Sequence, residues 1–241
     1  MTTRVTVLTG AGVSTGAGIP DFRGPRGVWT LRPDRARLLE IDVFMNDRAL
    51  REEGWRDWRE HPAWHSHPTD AHRALARLGE AGVLEALLTQ NIDGLHQAGG
   101  SRPADVIELH GALGTTSCMV CGAGPMATAD VLARLDTEPD PRCAGCGGIL
   151  KPDVVYFGEP LPPAALDRAV RAAEACDVMV AIGTTLTVFP VASLPGVALD
   201  SGASLVLVNA EPTAYDRYAD EVVREPIETA VPSLVERWLD A

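Results

Sequence analysis

Four of the five cysteines come in two pairs, Cys118-Met-Val-Cys121 and Cys143-Ala-Gly-Cys146, with 21 residues between the pairs. Each pair can set two thiolates on one ion, and two pairs complete a tetrahedral shell of four sulfurs. Such a shell leaves no position for water, so the chemistry it points to is a structural metal. The ribbon-like spacing favours zinc over iron. In a reducing compartment, paired CxxC units indicate metal rather than disulfides. The lone Cys176, between a helix-like and a strand-like stretch, reads as a small buried apolar residue.

A second chemical signal is the turn Thr9-Gly10-Ala11-Gly12-Val13-Ser14, followed by Gly16 and Gly18. A strand-to-helix turn with few Cβ atoms lets backbone N–H groups approach a pyrophosphate. The match to G-x-G-x-x-G is imperfect because position 15 is threonine, and a tight structural turn reads nearly as well. The acid expected about 20 residues later for a dehydrogenase ribose contact is absent. The loop runs on into GIPDFRG (18–24), which has no apolar periodicity.

A third signal is a set of polar clusters, each directly after an apolar run: Gln90-Asn91-Ile92-Asp93 with His96, His110-Gly111, Gly183-Thr184-Thr185, and Asn209-Ala210-Glu211. In open parallel sheets, ligands bind beyond the carboxyl ends of the strands. Histidine suits general-base work near neutral pH, and His110 is placed to face a cleft. A strand-end histidine can equally be hydrogen-bonded structure. Asn91 and Asp93 suit a carboxamide or ribose contact, or a helix N-cap. His61, His65 and His67 form a loop cluster that reads either as adventitious metal ligands or as a solvated loop. In KPDVVYFGE (151–159), Val154 to Phe157 are strand-like. An exposed edge there could accept a peptide by β-augmentation, and a buried strand is the alternative.

The elements that must position these groups alternate. Short apolar runs at 5–8, 85–91, 105–111, 177–183 and 204–211 read as buried strands. Residues 69–79 and 162–176 read as helices, the first with Thr69 as N-cap and the second opening on proline. This alternation predicts an α/β fold, a doubly wound and mostly parallel sheet. Residues 24–68, with four of the five tryptophans, and 116–150, with the paired cysteines, break the pattern and read as insertions. The expected division is 1–115 plus 151–241 for the cofactor-binding domain, carrying the 24–68 insertion, and 116–150 for a small zinc-ribbon-like domain.

The 241 residues carry a formal net charge of −12, with 46% hydrophobic residues. A surface this acidic repels phosphate backbones, which argues against direct nucleic-acid or anionic-membrane binding and suits a basic peptide. No apolar run approaches the roughly 20 residues that span a bilayer. The N-terminal MTTRVTVLTG lacks the pattern of a secretory signal, so a cytoplasmic location is expected.

Taken in order, GAGVSTGAGIPDFRG (10–24), TQNIDGLH (89–96), LHG (109–111), the two CxxC pairs, KPDVVYFGE (151–159), GTTLTVFP (183–190) and VNAEPT (208–213) resemble the sirtuins, of bacterial type. The resemblance implies a Rossmann-like domain joined to a small zinc domain, with NAD and an acyl-lysine peptide meeting between them. It implies that Gly10, Ala11 and Gly12 cradle the pyrophosphate, and that Asp21, Phe22 and Arg23 form a loop over the nicotinamide ribose. It assigns Gln90, Asn91 and Asp93 to ribose and nicotinamide, and Gly183, Thr184, Thr185, Asn209 and Glu211 to the adenosine half. His110 matches the catalytic histidine, with Asn91 in the catalytic set. Val154, Phe157, Gly158, Glu159 and Val188 are implied to flank the acyl-lysine.

The implied activity is NAD-dependent protein lysine deacylation, with acetyl the expected acyl group. The acyl oxygen attacks the anomeric carbon, nicotinamide leaves, His110 takes a ribose hydroxyl proton, and water completes release of lysine and O-acyl-ADP-ribose. Protein ADP-ribosylation from the same NAD site is the alternative. Three departures from the family pattern carry expectations. Gly16-Ala17-Gly18 should loosen the loop, and Thr185 stands where serine is usual. Arg56-Asp57-Trp58-Arg59 occupies the stretch where succinyl-preferring relatives carry Tyr-x-x-Arg, leaving Arg56 or Arg59 as candidate carboxylate partners.

Overall fold

A computed structural model describes residues 3–25 and 27–240; Met1, Thr2, Arg26 and Ala241 lie outside the described residues. The strands are β1 (Val5–Thr9), β2 (Leu84–Thr89), β3 (Val106–Glu108), β4 (Gly111–Cys118), β5 (Met126–Ala127), β6 (Leu150–Val154), β7 (Val178–Ile182), β8 (Ser204–Val208) and β9 (Glu221–Val223). The helices are α1 (Val28–Leu31), α2 (Ile41–Asn46), α3 (Arg48–Arg59), α4 (Asp70–Glu80), α5 (Leu95–Ala98), α6 (Thr128–Leu132), α7 (Pro163–Ala175), α8 (Leu194–Asp200) and α9 (Ile227–Leu239).

The large sheet has six strands in the order β3-β2-β1-β7-β8-β9, and every pairing is parallel. All five residues of β1 are buried, as expected of a parallel strand covered on both faces. One face packs against α4 and α9 through Leu75, Leu78, Val231 and Val235. The other packs against α7 and α8 through Ala169, Ala173, Leu194 and Ala198. This is the doubly wound Rossmann-like architecture. The order reverses between β1 and β7, the switch point where open α/β sheets bind ligands.

Helix α4 starts in a capping box: the Thr69 amide donates to His72 Nδ1 at 3.2 Å, so the histidine does what a glutamate usually does. Two elements near the C-terminus carry little sequence signal. Strand β9 has only three residues, and α9 contains Pro232, which reads as a breaker.

The two departures from alternation come together in one core. Phe44, Trp55 and Trp58 from the 24–68 stretch pack with Leu113, Cys118, Val131, Cys143, Leu150, Val154 and Tyr156. A small antiparallel sheet, β5-β4-β6, supports this second lobe. Its central strand β4 and outer strand β6 extend past 116–150 on the two sides, back to Gly111 and on to Val154. Arg51 of α3 and Asp140 of the cysteine segment form a buried bidentate pair at 2.7 and 2.8 Å, which fastens the two stretches.

Sequence and structure differ in three places. The strand expected over Val154 to Phe157 ends at Val154. Beyond it the Val155 amide donates to His110 O, and Phe157 bonds with Leu39 and Ile41, so those backbone groups already have partners. The run 105–111 yields only the three-residue β3, because Gly111 at φ +74 turns the chain into the small sheet. A Cβ at Gly111 would meet Asp153 O at 1.9 Å, so the turn requires glycine. Finally, the 11–17 segment is a continuous 3-10 helix closed by Gly18 in the left-handed region, not slack chain. A Cβ at Gly16 would meet the Glu228 carboxylate of α9 at 2.1 Å, so that glycine permits close packing.

Candidate active site

One cleft of about 920 Å³ runs along the carboxyl ends of the large sheet, between it and the second lobe. It is lined by every residue that the sequence assigns to NAD, to catalysis or to the acyl-lysine flank. At the switch point are Gly10, Ala11 and Gly12, facing Gly183, Thr184 and Thr185. Gln90, Asn91, Asp93 and His110 stand after β2 and β3. Asn209 and Glu211 follow β8, and Asp21, Phe22 and Arg23 form one rim. Val154, Phe157, Gly158, Glu159 and Val188 complete the wall.

At the switch point two loops touch. The Gly10 and Gly12 amides donate to Ile182 O at 3.0 Å and Gly183 O at 2.9 Å. A Cβ at Gly12 would lie 2.6 Å from Gly183 Cα, and one at Gly10 2.7 Å from Gly183 O. These two amides are committed inside the protein. What these glycines contribute is their lack of side chains, which lets the two loops close.

Ser14, to which sequence reasoning gave no role, is a hub. Its hydroxyl donates to Asp93 Oδ2 at 2.7 Å and accepts from Asn91 Nδ2 at 3.1 Å. Asn91 Nδ2 also donates to Gly10 O at 3.2 Å. A carbonyl only accepts, so the amide orientation is fixed, both of its N–H groups are used, and Oδ1 is left to meet a ligand. Gln90 is set the same way, donating to Thr9 O at 3.3 Å and Thr184 Oγ1 at 2.8 Å. Asp93 also serves as a cap, with Oδ1 accepting the Leu95 amide at 2.9 Å. That bond meets the cap reading of Asp93 in part, since Gly94 holds the cap position itself, whereas Asn91 does not cap. A signal for Ser14 was its place in the glycine turn, but its partners come from residues about 80 positions away.

His110 sits where β3 hands over to β4. Its Nδ1 lies 2.9 Å from Gln90 O, and its own carbonyl accepts from Val155 N. Since the Gln90 carbonyl can only accept, Nδ1 carries the proton and Nε2 of the neutral ring is an acceptor. Burial pulls the imidazole below the usual histidine value, with the Gln90 bond opposing it. The ring is therefore neutral near pH 7 and able to take a proton.

The wall around the substrate candidates is held from below. Lys151, buried on β6, donates to Val154 O at 2.7 Å and pairs with Glu159 at 3.1 Å. Glu159 in turn accepts the Tyr156 amide at 2.7 Å. The Tyr156 hydroxyl accepts from Trp58 Nε1 at 2.7 Å. Across the rim, Phe22, Trp29 and Phe157 stack in a chain with centroids 4.7 and 5.3 Å apart, and the Arg23 guanidinium lies 4.6 Å over Trp29. The insertion adds cleft residues that sequence reasoning did not single out: Arg35, Leu38, Gly54 and Trp58, together with His61 of the histidine cluster. Arg56 and Arg59, the candidate carboxylate partners, are not among the cleft residues; Arg59 pairs with Asp136 at 2.8 Å.

Apart from the cleft, the sulfurs of Cys118, Cys121, Cys143 and Cys146 all lie within 4.8 Å of one another. Cys118 and Cys146 are 3.6 Å apart, and Cys121 and Cys143 are 3.8 Å apart. Four sulfurs about 2.3 Å from a zinc ion at tetrahedral corners stand roughly 3.8 Å apart, so the cluster fits zinc. Amides support the sulfurs, Val120 N to Cys118 at 3.4 Å and Gly148 N to Cys146 at 3.3 Å. Cys118 and Cys143 are buried in the second lobe's core. Cys176, as expected, is a buried residue at the end of α7.

Known proteins share this sequence and fold. A family profile described as "Sir2 family" matches residues 10–190. "NAD-dependent protein deacetylase 2" of Streptomyces coelicolor is 50% identical, over 96% of this chain and 96% of its own. "NAD-dependent protein deacetylase 1" of Pyrobaculum aerophilum is 48% identical, over 95% of this chain and 88% of its own. A solved Sir2 structure with a p53 peptide and NAD+ superposes with a TM-score of 0.87 at 35% identity, covering 99% of this chain and 94% of that one. The profile match, the identity over nearly full length and the shared fold agree: this chain belongs to the Sir2 family.

Proposed function

We propose that this protein is an NAD-dependent protein lysine deacetylase, which releases nicotinamide and passes the acetyl group to ADP-ribose. The observation that carries the reading is His110: a neutral imidazole with its Nδ1 proton fixed on Gln90 O, in the same cleft as Asn91, Asp93 and the switch-point glycines. The relatives named above are NAD-dependent deacetylases, and the Sir2 neighbour holds peptide and NAD+ together.

NAD supplies an activated ribosyl carbon with nicotinamide as leaving group. Acyl-lysine, NAD+ and water become lysine, nicotinamide and O-acyl-ADP-ribose, the released proton ending on the lysine amine. The residues of this chain bind, orient and move a proton. His110 Nε2 accepts a ribose hydroxyl proton, while Nδ1 stays bonded to Gln90. Asn91, held through Nδ2 by Gly10 and Ser14, presents Oδ1 to orient the groups beside the reacting centre. Phe22, stacked through Trp29 onto Phe157, covers the reacting end and limits water there. Gly183, Thr184, Thr185, Asn209 and Glu211 take the adenosine half, and Val154, Gly158, Glu159 and Val188 flank the acyl-lysine peptide.

Zinc in the four-cysteine cluster is structural, since four thiolates fill its shell. No helix among the described residues is long and apolar enough to cross a membrane. A cytoplasmic location is part of this proposal, because four closely grouped reduced thiols suit a reducing compartment. The test is mass spectrometry of an acetyl-lysine peptide incubated with and without NAD. The expected result is NAD-dependent loss of the acetyl mass, with nicotinamide and O-acetyl-ADP-ribose formed in equal amounts. A peptide or protein that gains the ADP-ribose mass while keeping its acetyl group would instead make this a protein ADP-ribosyltransferase.

A further inference from the structure

His96 is a buried histidine that takes no part in the proton transfer. Helix α5, which follows the polar loop 90–94, sends it back beneath that loop's own beginning, where it is 1% exposed. Its Nε2 lies 2.9 Å from Thr9 Oγ1. Its Nδ1 is buried and has no hydrogen-bond partner among the described residues. As packing alone this is a poor choice, because a leucine fills such a space without leaving a buried polar atom unsatisfied. What the histidine adds over an apolar residue is the bond made by Nε2.

That bond begins a chain whose direction is fixed. Thr9 and Thr89 end β1 and β2, face each other in register and are buried. Thr9 Oγ1 donates to Thr89 Oγ1 at 2.9 Å. Its contact with Leu88 O, at 3.5 Å, is too long to compete. A hydroxyl has one proton, so Thr9 must accept from His96, and the imidazole proton is on Nε2. The opposite tautomer would bury an Nδ1–H with nothing to receive it. Burial keeps the ring neutral, its pKa pulled down to about 3. At the far end, Thr89 Oγ1 also accepts the Asn91 amide at 3.0 Å.

Asn91 is thus held from two sides. Its side chain bonds Gly10 O and Ser14 Oγ, and Thr89 fixes the main chain from which that side chain projects. We propose that His96 is a positioning residue for Asn91, acting through the Thr9 and Thr89 hydroxyls to fix where Asn91 presents Oδ1 to the reacting centre. This rests on the deacetylase reading and deepens it. Without the donor on His96, the two threonine hydroxyls are free to rotate, and the amide of Asn91 loses an oriented acceptor.

The test measures kcat and KM on an acetyl-lysine peptide, with the full zinc-bearing chain and NAD. The His96 ring packs on that of His72, centroids 4.8 Å apart, so the variants keep the volume nearly constant. His96→Leu should lower kcat at least about tenfold, with KM for NAD and for peptide within about threefold of wild type. His96→Gln, whose amide N–H reaches the place of Nε2–H, should restore kcat to within about threefold of wild type. His96→Asn, whose shorter amide stands nearer the place of Nδ1, should not. Thr9→Val, which removes only the middle hydroxyl, should lower kcat as His96→Leu does, and the two changes together should cost no more than either alone. Equal kcat in the wild type, His96→Leu and Thr9→Val would overturn the inference. So would a glutamine variant as slow as the leucine one, or losses that multiply in the double variant. If His96→Leu does not fold, Thr9→Val decides, and unchanged kcat there overturns the inference. Absence of NAD-dependent turnover in the wild type would overturn the deacetylase reading, and this inference with it.

Discussion

His110 Nδ1 and the backbone carbonyl of Gln90 are 2.9 Å apart, so a residue leaving one strand fixes the tautomer of a histidine leaving the next. The acceptor is main chain, and no side-chain substitution at Gln90 removes it. The orientation of the base is therefore a property of the β2 and β3 strand ends themselves.

Replacing the base tests its role. His110→Ala should lower kcat for deacetylation by about 10²–10⁴-fold, the usual share of a general base, while NAD affinity changes little. Single-turnover kinetics and NAD titration on the same preparation check both halves. Wild-type turnover in the variant would assign the proton transfer to another group.

The pH dependence of activity follows from the direction of the His110 shift. Burial lowers its pKa below the ordinary 6.5, and the neutral ring is the active form. The acidic limb of the kcat/KM profile, which reports the free enzyme, should therefore fall below pH 6.5, measured with peptide well below its KM.

Stability should also depend on pH, through buried histidines. His61, His72, His96 and His110 all have lowered values, with burial the first cause, and His96 is pulled down to about 3. Groups whose folded pKa is depressed below the unfolded 6.5 bind fewer protons when folded, so stability is full above that pH and is lost as the pH falls below it. For His96 alone the loss between pH 7 and pH 5 is ~2 kcal/mol, at about 1.4 kcal/mol per unit. Urea midpoints at the two pH values measure it, and His96→Gln should reduce the difference.

The zinc cluster predicts one metal ion per chain. Cys143→Ala, or a strong chelator, should lower Tm and solubility, because Cys118 and Cys143 belong to the core that also holds Trp55 and Tyr156. Metal analysis of folded, active protein checks the stoichiometry; much less than one zinc per chain would refute a structural metal.

The Arg51–Asp140 pair should be costly to break from one side. Asp140→Ala leaves the Arg51 guanidinium buried and unpaired, and the expected loss is about 3–5 kcal/mol by chemical denaturation. Arg51→Met with Asp140→Leu should cost less than the single change, since no buried charge is left unpaired and Arg142, the other partner of Asp140, reaches solvent.

The chemistry of this protein was legible where it depends on residue type and local spacing. Two CxxC pairs define a four-sulfur shell wherever the chain brings them together, and the runs around β1, β2, β7 and β8 announce a parallel sheet by being mostly apolar without strict alternation. The polar clusters were legible for the same reason, since strand ends in such a sheet point to one edge. What only the tertiary structure decided involves contacts between distant segments. Ser14 becomes a hub because Asn91 and Asp93 arrive from 77 and 79 residues away. The helical and cysteine-bearing insertions read as separate, yet Arg51 and Asp140, 89 residues apart, join them in one core. The substrate wall was read as a strand through Phe157, but the strand stops at Val154 because Leu39 and Ile41 take the Phe157 backbone groups. Arg56 and Arg59 were the candidates for reaching an acyl carboxylate, and the 3.6-residue turn of α3 puts Gly54, Asp57 and Trp58 toward the cleft instead. Local pattern fixes what a residue can do; which partner it meets depends on how strands and helices far apart in the chain are packed.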